Sequence, residues 1–172
     1  MVFPIALAGA ALSALVSAAA AGRVALVVAA IRPNSWDPPL FIHVLGAMAL
    51  VGAAATGVRA AFATDRSQAP VWLRRFGFRS LLLVALPAFV VMRIGAEWMR
   101  IKEIGGAPQP TWLTIGYTTA DGGGILLVVA IVLAWLAVRR GRPGYARAAA
   151  LVAGLALLGW VVTVWVMGAK PA

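Results

Sequence analysis

The chain contains no cysteine, which excludes disulfide bonds, thiolate metal sites and a cysteine nucleophile. Acidic residues are also scarce, because 5 Asp and Glu stand against 15 Lys and Arg, and there is 1 histidine among 172 residues. Charged residues make up only 12% of the chain, whereas about a quarter of a typical soluble domain is charged. This composition is not that of a soluble globular protein.

Hydrophobic residues are abundant instead, at 63% of the chain, and they form long runs between short charged clusters. A helix needs about 20 mainly apolar residues to cross a bilayer, and several of these runs are that long. The runs are rich in Ala, Leu and Val and do not alternate with polar residues, which favours helices over membrane strands. The sequence therefore predicts an all-α, polytopic membrane helix bundle in a single transmembrane domain.

Proline- and glycine-containing stretches divide the chain into about five predicted transmembrane helices. Their ranges are about 3–31, 40–63, 74–99, 119–138 and 145–167. The first segment has an alternative interpretation as a cleaved signal peptide, because Ser17 to Ala21 offers small residues at a cleavage site. Residues 1–12 contain no Lys or Arg, so the basic start of a signal peptide is missing.

The distribution of arginine predicts the orientation, since cytoplasmic loops are enriched in Lys and Arg. The loops after the second and fourth predicted helices are the basic ones, with Arg66, Arg74, Arg75, Arg139, Arg140 and Arg142. We therefore expect the N-terminus inside and the C-terminus outside. Insertion explains the formal net charge of +10, so no nucleic-acid partner is expected. High Ala, Gly and Arg usage suggests a bacterial protein of the cell inner (plasma) membrane.

Aromatic residues near the predicted helix ends are typical of the belts that anchor helices at membrane interfaces. At the outer boundary they are Trp36, Trp98, Trp112 and Tyr117, and at the inner boundary Trp72 and Tyr145.

Ionisable residues inside membrane spans are costly and are candidates for function. This sequence has a predicted polar intramembrane cluster in the outer half of the membrane, formed by Arg23, Arg93, Glu97 and Asp121. Each has a structural alternative: Arg93 and Glu97 could form an i,i+4 ion pair, and Asp121 could cap the start of its helix. Arg23 could reach the headgroups or pair with an acid on a neighbouring helix.

His43 lies at the same depth and is the one residue predicted to bind a cofactor, although a hydrogen-bonded structural role is the alternative. A lone histidine excludes bis-histidine haem ligation within one chain. His–Met ligation of haem has candidate partners in Met48, Met92, Met99 and Met167, and methionine with histidine would also suit copper(I). The identity of any metal stays open.

The segment Phe41-Ile42-His43-Val44-Leu45-Gly46-Ala47 resembles the LHVLGA opening of small predicted integral membrane proteins of unknown function. The chain end, 166–171, is similar to the Met-x-x-Lys-Pro ending of that group. The group distantly resembles the copper-resistance D membrane domain and HemJ-type protoporphyrinogen oxidases, and the latter resemblance implies a haem-binding role for His43. The Trp-x-Gly that often follows this histidine is missing here, since 48–52 contains no tryptophan.

Three functions follow as hypotheses. The first is an accessory subunit of a larger membrane complex, which predicts local charge pairing and a homo-oligomer or partner proteins. The second is a membrane protein that binds haem or copper through His43, which predicts a pocket beside that residue. The third is a small oligomeric transporter, which predicts a water-filled cavity. No catalytic residues are predicted.

Overall fold

The computed structural model describes residues 37–63 and 71–169, and the chain from Pro38 onward forms one compact unit. The described residues are helical except for the connections at 104–110 and 141–142. The predicted first helix at 3–31 and its Arg23 lie outside the described residues.

Four long helices build the described part of the chain: α1 (Asp37–Ala63), α2 (Val71–Glu103), α3 (Thr111–Arg140) and α4 (Pro143–Ala169). They contain 27 to 33 residues, or about 40–50 Å at a rise of about 1.5 Å per residue. Each is long and apolar enough to cross a membrane. The predicted all-helical, multi-pass membrane architecture is confirmed at this level.

Helix α3 begins at Thr111, eight residues before the predicted start at 119. The sequence between Thr111 and Asp121 is polar enough to suggest a loop. Pro110 has an extended backbone, however, so the connection ends there and the helix begins at the next residue. α2 likewise extends the predicted 74–99 at both ends. Asp121 is therefore the eleventh residue of a helix, and the predicted capping role at a helix start is wrong.

Helix α2 stays continuous across Pro87 because it widens into a π-helical segment at Ser80–Ala85. Proline lacks the N–H that would bond the carbonyl of Leu83, and its ring crowds that carbonyl. In the π-helical segment the Leu86 N–H bonds the Leu81 carbonyl, five residues earlier. The Ser80 hydroxyl donates to the Ala53 carbonyl of α1 at 2.9 Å, which ties the widened segment to its neighbour.

Small residues fill the interior and large apolar ones face outward. On α4 the buried residues are five alanines and Trp160, whereas Leu151, Leu155, Leu158 and Val164 are 55–73% exposed. This is the reverse of a soluble protein, because lipid solvates large apolar side chains while small residues let helix backbones approach. Such an outer surface fits a lipid environment.

Helices α1 and α2 cross at backbone contact through Gly46 and Gly95. A Cβ at Gly46 would lie 2.6 Å from the Met92 nitrogen, and a Cβ at Gly95 would lie 2.6 Å from the His43 nitrogen. Both distances are too short for any side chain, so the two glycines are required for this crossing. The crossing places His43 directly against α2.

Candidate binding cavity beside His43

A cavity of about 720 Å³ lies at the end of the bundle where α1 and α3 begin and where α2 and α4 end, and it opens to the outward-facing surface of α4 beside Leu158 and Val164. Its lining is mostly apolar, and its polar side chains belong to His43, Arg93, Tyr117, Trp160 and Thr163. An apolar cavity of this volume with a few convergent polar groups is typical of a site for a small organic molecule.

The His43 imidazole is oriented by the backbone of α2. Its Nδ1 lies 3.0 Å from the carbonyl oxygen of Met92, and a carbonyl can only accept, so Nδ1 carries the proton. In the neutral ring Nε2 then has the free lone pair. Histidines that bind metals are commonly held in this way, with one nitrogen donating to a carbonyl and the other left for the metal.

Two of the four methionines considered as partners for His43 line this cavity. Met92 is buried, at 8% exposure, and Met167 packs against Gly116, where an added Cβ would overlap its side chain. Met48 is 69% exposed and does not line the cavity. The structure therefore narrows the thioethers beside His43 to Met92 and Met167.

Arg93 forms a two-point ion pair with Asp121 across the α2–α3 interface. Nε lies 2.7 Å from Oδ1, and Nη2 donates to Oδ2 at 3.2 Å. The guanidinium also lies 4.5 Å from the centre of the Tyr117 ring, a cation–π contact. Arg93 therefore pairs with Asp121, and the predicted i,i+4 pair with Glu97 is replaced. The pair with Asp121 uses only some of the N–H donors of Arg93, and the other donors can bind a ligand.

Glu97 belongs to a second polar group on the same side of the bundle. It accepts from Arg100 Nε at 2.9 Å, and from the Tyr117 hydroxyl at 3.4 Å. The single hydrogen of that hydroxyl is shared with the Ala96 carbonyl, whose oxygen lies 3.1 Å from the hydroxyl oxygen. Tyr117 thus links the two ion pairs, with its ring against Arg93 and its hydroxyl against Glu97.

The wall formed by α3 and α4 contains buried polar contacts. Trp160 Nε1 donates to the Ala120 carbonyl at 3.3 Å, and the hydroxyls of Thr119 and Thr163 lie 2.8 Å apart. In an apolar medium water does not compete for these hydrogen bonds, so they hold α3 and α4 in register. They leave this face of the cavity well defined.

Of the predicted site residues, the structure brings Arg93 and Asp121 together and places His43 and Arg93 on one cavity. Glu97 pairs with Arg100, and Arg23 is outside the described residues. For Tyr117 the sequence indicates only a belt role, and for Trp160 and Thr163 it predicts no particular role. A polar group in the middle of an apolar run was the available signal for both.

The described residues contain no group of three or more His, Cys, Asp and Glu side chains able to hold a metal ion. The cavity offers an imidazole, two thioethers, a guanidinium and a phenol. These groups suit a ligand with a large apolar body and an acidic or metal-containing part. Comparison with known proteins identified no family model, no curated protein and no solved structure that matches this chain.

Proposed function

We propose that this chain is a multi-pass membrane protein that binds a hydrophobic organic cofactor, with haem as the leading candidate, in the cavity beside His43. The observation that carries the proposal is the hydrogen bond from His43 Nδ1 to the Met92 carbonyl at the edge of that cavity. It leaves Nε2 as a ligand atom on a residue fixed by backbone packing.

The volume of the cavity favours haem over a bare copper ion as the ligand. About 720 Å³ lies within the range of roughly 300–1,000 Å³ for sites that hold organic ligands, and a single ion needs far less. His43 would hold the haem iron through its imidazole, and Met92 or Met167 could supply a thioether as a further ligand. Arg93 supplies N–H donors for an acidic substituent. Bound haem would supply one-electron redox chemistry, while these residues bind and orient it.

The accessory-subunit hypothesis is the second candidate, and local charge pairing favours it. Arg93 pairs with Asp121 and Glu97 with Arg100, as expected for ion pairs with a packing role. The transporter hypothesis receives less support, because a water-filled path requires a polar lining and this cavity is lined mainly by apolar side chains.

The proposed topology keeps five spans, with the N-terminus inside, the C-terminus outside, and the protein in the bacterial inner membrane. The absence of native cysteine makes the chain suited to labelling of single introduced cysteines. An impermeant maleimide should label Gly106→Cys on intact cells but Arg142→Cys only after the membrane is opened. The intact mass of the mature protein decides whether residues 3–31 are retained.

The experiment for the cofactor is an absorption spectrum, with metal analysis, of the full chain purified in mild detergent from its native host. We expect a Soret band in the wild type and its loss in His43→Ala. Gly154→Leu should also lose it, because Gly154 lines the cavity and an added Cβ there meets no atom within 4 Å. The leucine would therefore occupy the cavity without disturbing the helices.

Gly122→Leu is the matched control, because Gly122 does not line the cavity and its Cβ would also meet no atom within 4 Å. This variant should keep the band. A colourless wild type, or a band that survives both His43→Ala and Gly154→Leu, would refute the proposal. Stoichiometric co-purification of another membrane protein with a colourless chain would instead support the accessory hypothesis.

A further inference from the structure

The opposite end of the bundle is strongly basic. There α1 ends, α2 begins, α3 ends and α4 begins, and a small cavity is bordered by Gly57, Gly77, Ala137 and Ala146, one residue from each helix. The described residues near this end include eight arginines, which we call the arginine end: Arg59, Arg74, Arg75, Arg79, Arg139, Arg140, Arg142 and Arg147.

The arginine end has no acidic counterpart among the described residues. The four described acids all lie in the other half of their helices: Asp37, Glu97, Glu103 and Asp121. Asp65 and Arg66 lie in the undescribed stretch, and their formal charges cancel. Eight positive charges on one end repel each other, so an anion bound there would relieve that repulsion.

Part of the arginine end is held in place by contacts within the protein. Arg74 Nη1 donates to the Gly141 carbonyl at 3.0 Å, which joins the start of α2 to the α3–α4 turn. Arg139 lies 4.9 Å from the centre of the Trp135 ring, and Arg140 donates to the Tyr145 hydroxyl at 3.2 Å. The others are exposed and have no partner among the described residues: Arg59, Arg75, Arg79, Arg142 and Arg147.

Apolar side chains adjoin these exposed guanidiniums. Trp72 is 63% exposed and Phe76 49% exposed, on the same turns of α2 as Arg75 and Arg79. In a membrane these faces contact acyl chains while the arginines reach the headgroups. Exposed guanidiniums that can bind phosphate therefore lie beside apolar side chains that can contact lipid tails. A soluble anion would have no use for the apolar part of this surface.

We propose that the arginine end binds the phosphate groups of anionic phospholipids in the leaflet that it contacts. The guanidinium matches phosphate with two parallel hydrogen bonds, and all eight cations at this end are arginine rather than lysine. Clusters of four to eight basic residues beside membrane helices attract anionic lipids, by about 1 kcal/mol for each residue near the surface.

The test uses the full chain purified in a neutral detergent and titrated with phosphatidylglycerol or phosphatidylcholine, with thermal stabilisation as the measure of binding. Phosphatidylglycerol should bind much more tightly than phosphatidylcholine. About 1 kcal/mol per arginine corresponds to about fivefold in affinity, so Arg75→Gln/Arg142→Gln should bind phosphatidylglycerol at least about tenfold more weakly.

Lys102→Gln is the matched control, because it removes one positive charge at the opposite end of α2. It should leave phosphatidylglycerol affinity within about twofold of wild type, whereas Arg142→Gln alone should lower it about fivefold. Arg142→Lys keeps the positive charge but loses the paired N–H donors of the guanidinium. Its affinity for phosphatidylglycerol should therefore fall between those of the wild type and Arg142→Gln.

Equal stabilisation by the two lipids, or equal losses in Lys102→Gln and Arg142→Gln, would overturn the proposal. Displacement of phosphatidylglycerol by millimolar inorganic phosphate would also overturn it and would assign the surface to a soluble anion. Displacement by a short RNA would count against lipid in the same way. Retention of phosphatidylglycerol against both competitors is the expected result.

Discussion

The crossing of α1 and α2 leads to a prediction for Gly46→Ala. An added Cβ would lie 2.6 Å from the Met92 nitrogen and 3.0 Å from the Ala88 carbonyl oxygen, and both are backbone atoms that cannot rotate away. Ordinary van der Waals contact begins near 3.4 Å, so the helices must separate by about 0.8 Å. We expect the free energy of unfolding to fall by about 1–3 kcal/mol, as for other overpacked interiors.

The same separation should release His43. Its Nδ1 lies 3.0 Å from the Met92 carbonyl, and an added 0.8 Å or so removes effective hydrogen bonding. Stability is measured by unfolding in a denaturing detergent, and the protonation of Nδ1 by NMR of the ¹⁵N-labelled imidazole. We expect the wild-type signal of a single protonated nitrogen to be replaced in Gly46→Ala by exchange between tautomers.

Gly52→Ala is the control, because Gly52 is on the same helix and a Cβ there meets nothing within 4 Å. Both variants gain up to about 1 kcal/mol of helix propensity, so their difference isolates the clash. Gly95→Ala should resemble Gly46→Ala, and the double variant should cost less than the sum, because one methyl group already opens the crossing. Equal stability of Gly46→Ala and Gly52→Ala would refute the packing argument.

Three further predictions concern the packing of α2 against α3. Gly124→Ala should destabilise the protein by about 1–3 kcal/mol, because a Cβ would overlap the Phe89 ring, whereas Gly122→Ala, with open space around it, should be neutral in the same unfolding assay. A double-mutant cycle of Arg93→Gln and Asp121→Asn should return a favourable coupling of about 1 kcal/mol, and a value near zero would contradict the two-point pairing. Tyr117→Phe should lose about 0.5–1.5 kcal/mol through its bond to the Ala96 carbonyl while keeping the ring against Arg93, and unchanged stability would show that this bond contributes nothing.

The helical membrane architecture could be predicted because the bilayer imposes it. A backbone group without a partner is costly in hydrocarbon, so long apolar runs have few alternatives to helices. The start of α3 could not be read in the same way, since Thr111, Thr114 and Thr118 make the first turns polar. The hydroxyl of Thr118 and that of the neighbouring Thr119 are satisfied within the helix, because each donates to the carbonyl four residues earlier.

That the described candidate residues lie toward the same end of the bundle could be predicted, but their partners could not. Arg93 has an acid one turn away on its own helix, yet it bonds Asp121 on α3 because the rotation of each helix is set by tertiary packing. Gly46 and Gly95 determine that packing between α1 and α2, and nothing in a single sequence identifies which of 18 glycines face one another. The pairing of His43 with a main-chain carbonyl has no side-chain signature at all.

The role of Gly122 to Gly124 shows the same limit. Three consecutive glycines beside Asp121 suggest a flexible entry to a helix or a close backbone approach. In the structure they lie within α3, where Gly123 faces the Trp160 indole, Gly124 faces the Phe89 ring and Gly122 meets no atom within 4 Å. Gly123 and Gly124 therefore leave room for aromatic rings from two different helices. Those rings, of Trp160 and Phe89, are distant from the glycines in sequence.

His43 is held by main-chain atoms, and this determines which changes the site can tolerate. The Met92 carbonyl accepts from the imidazole whatever side chain occupies position 92, so Met92→Leu should preserve its orientation and remove only a thioether. Gly46 and Gly95 are not themselves among the residues that line the cavity, yet any side chain at either position separates the helices that bring the carbonyl to the ring. The residues that orient His43 are therefore the packing glycines, and the residues that contact a ligand can vary with the chemistry of that ligand.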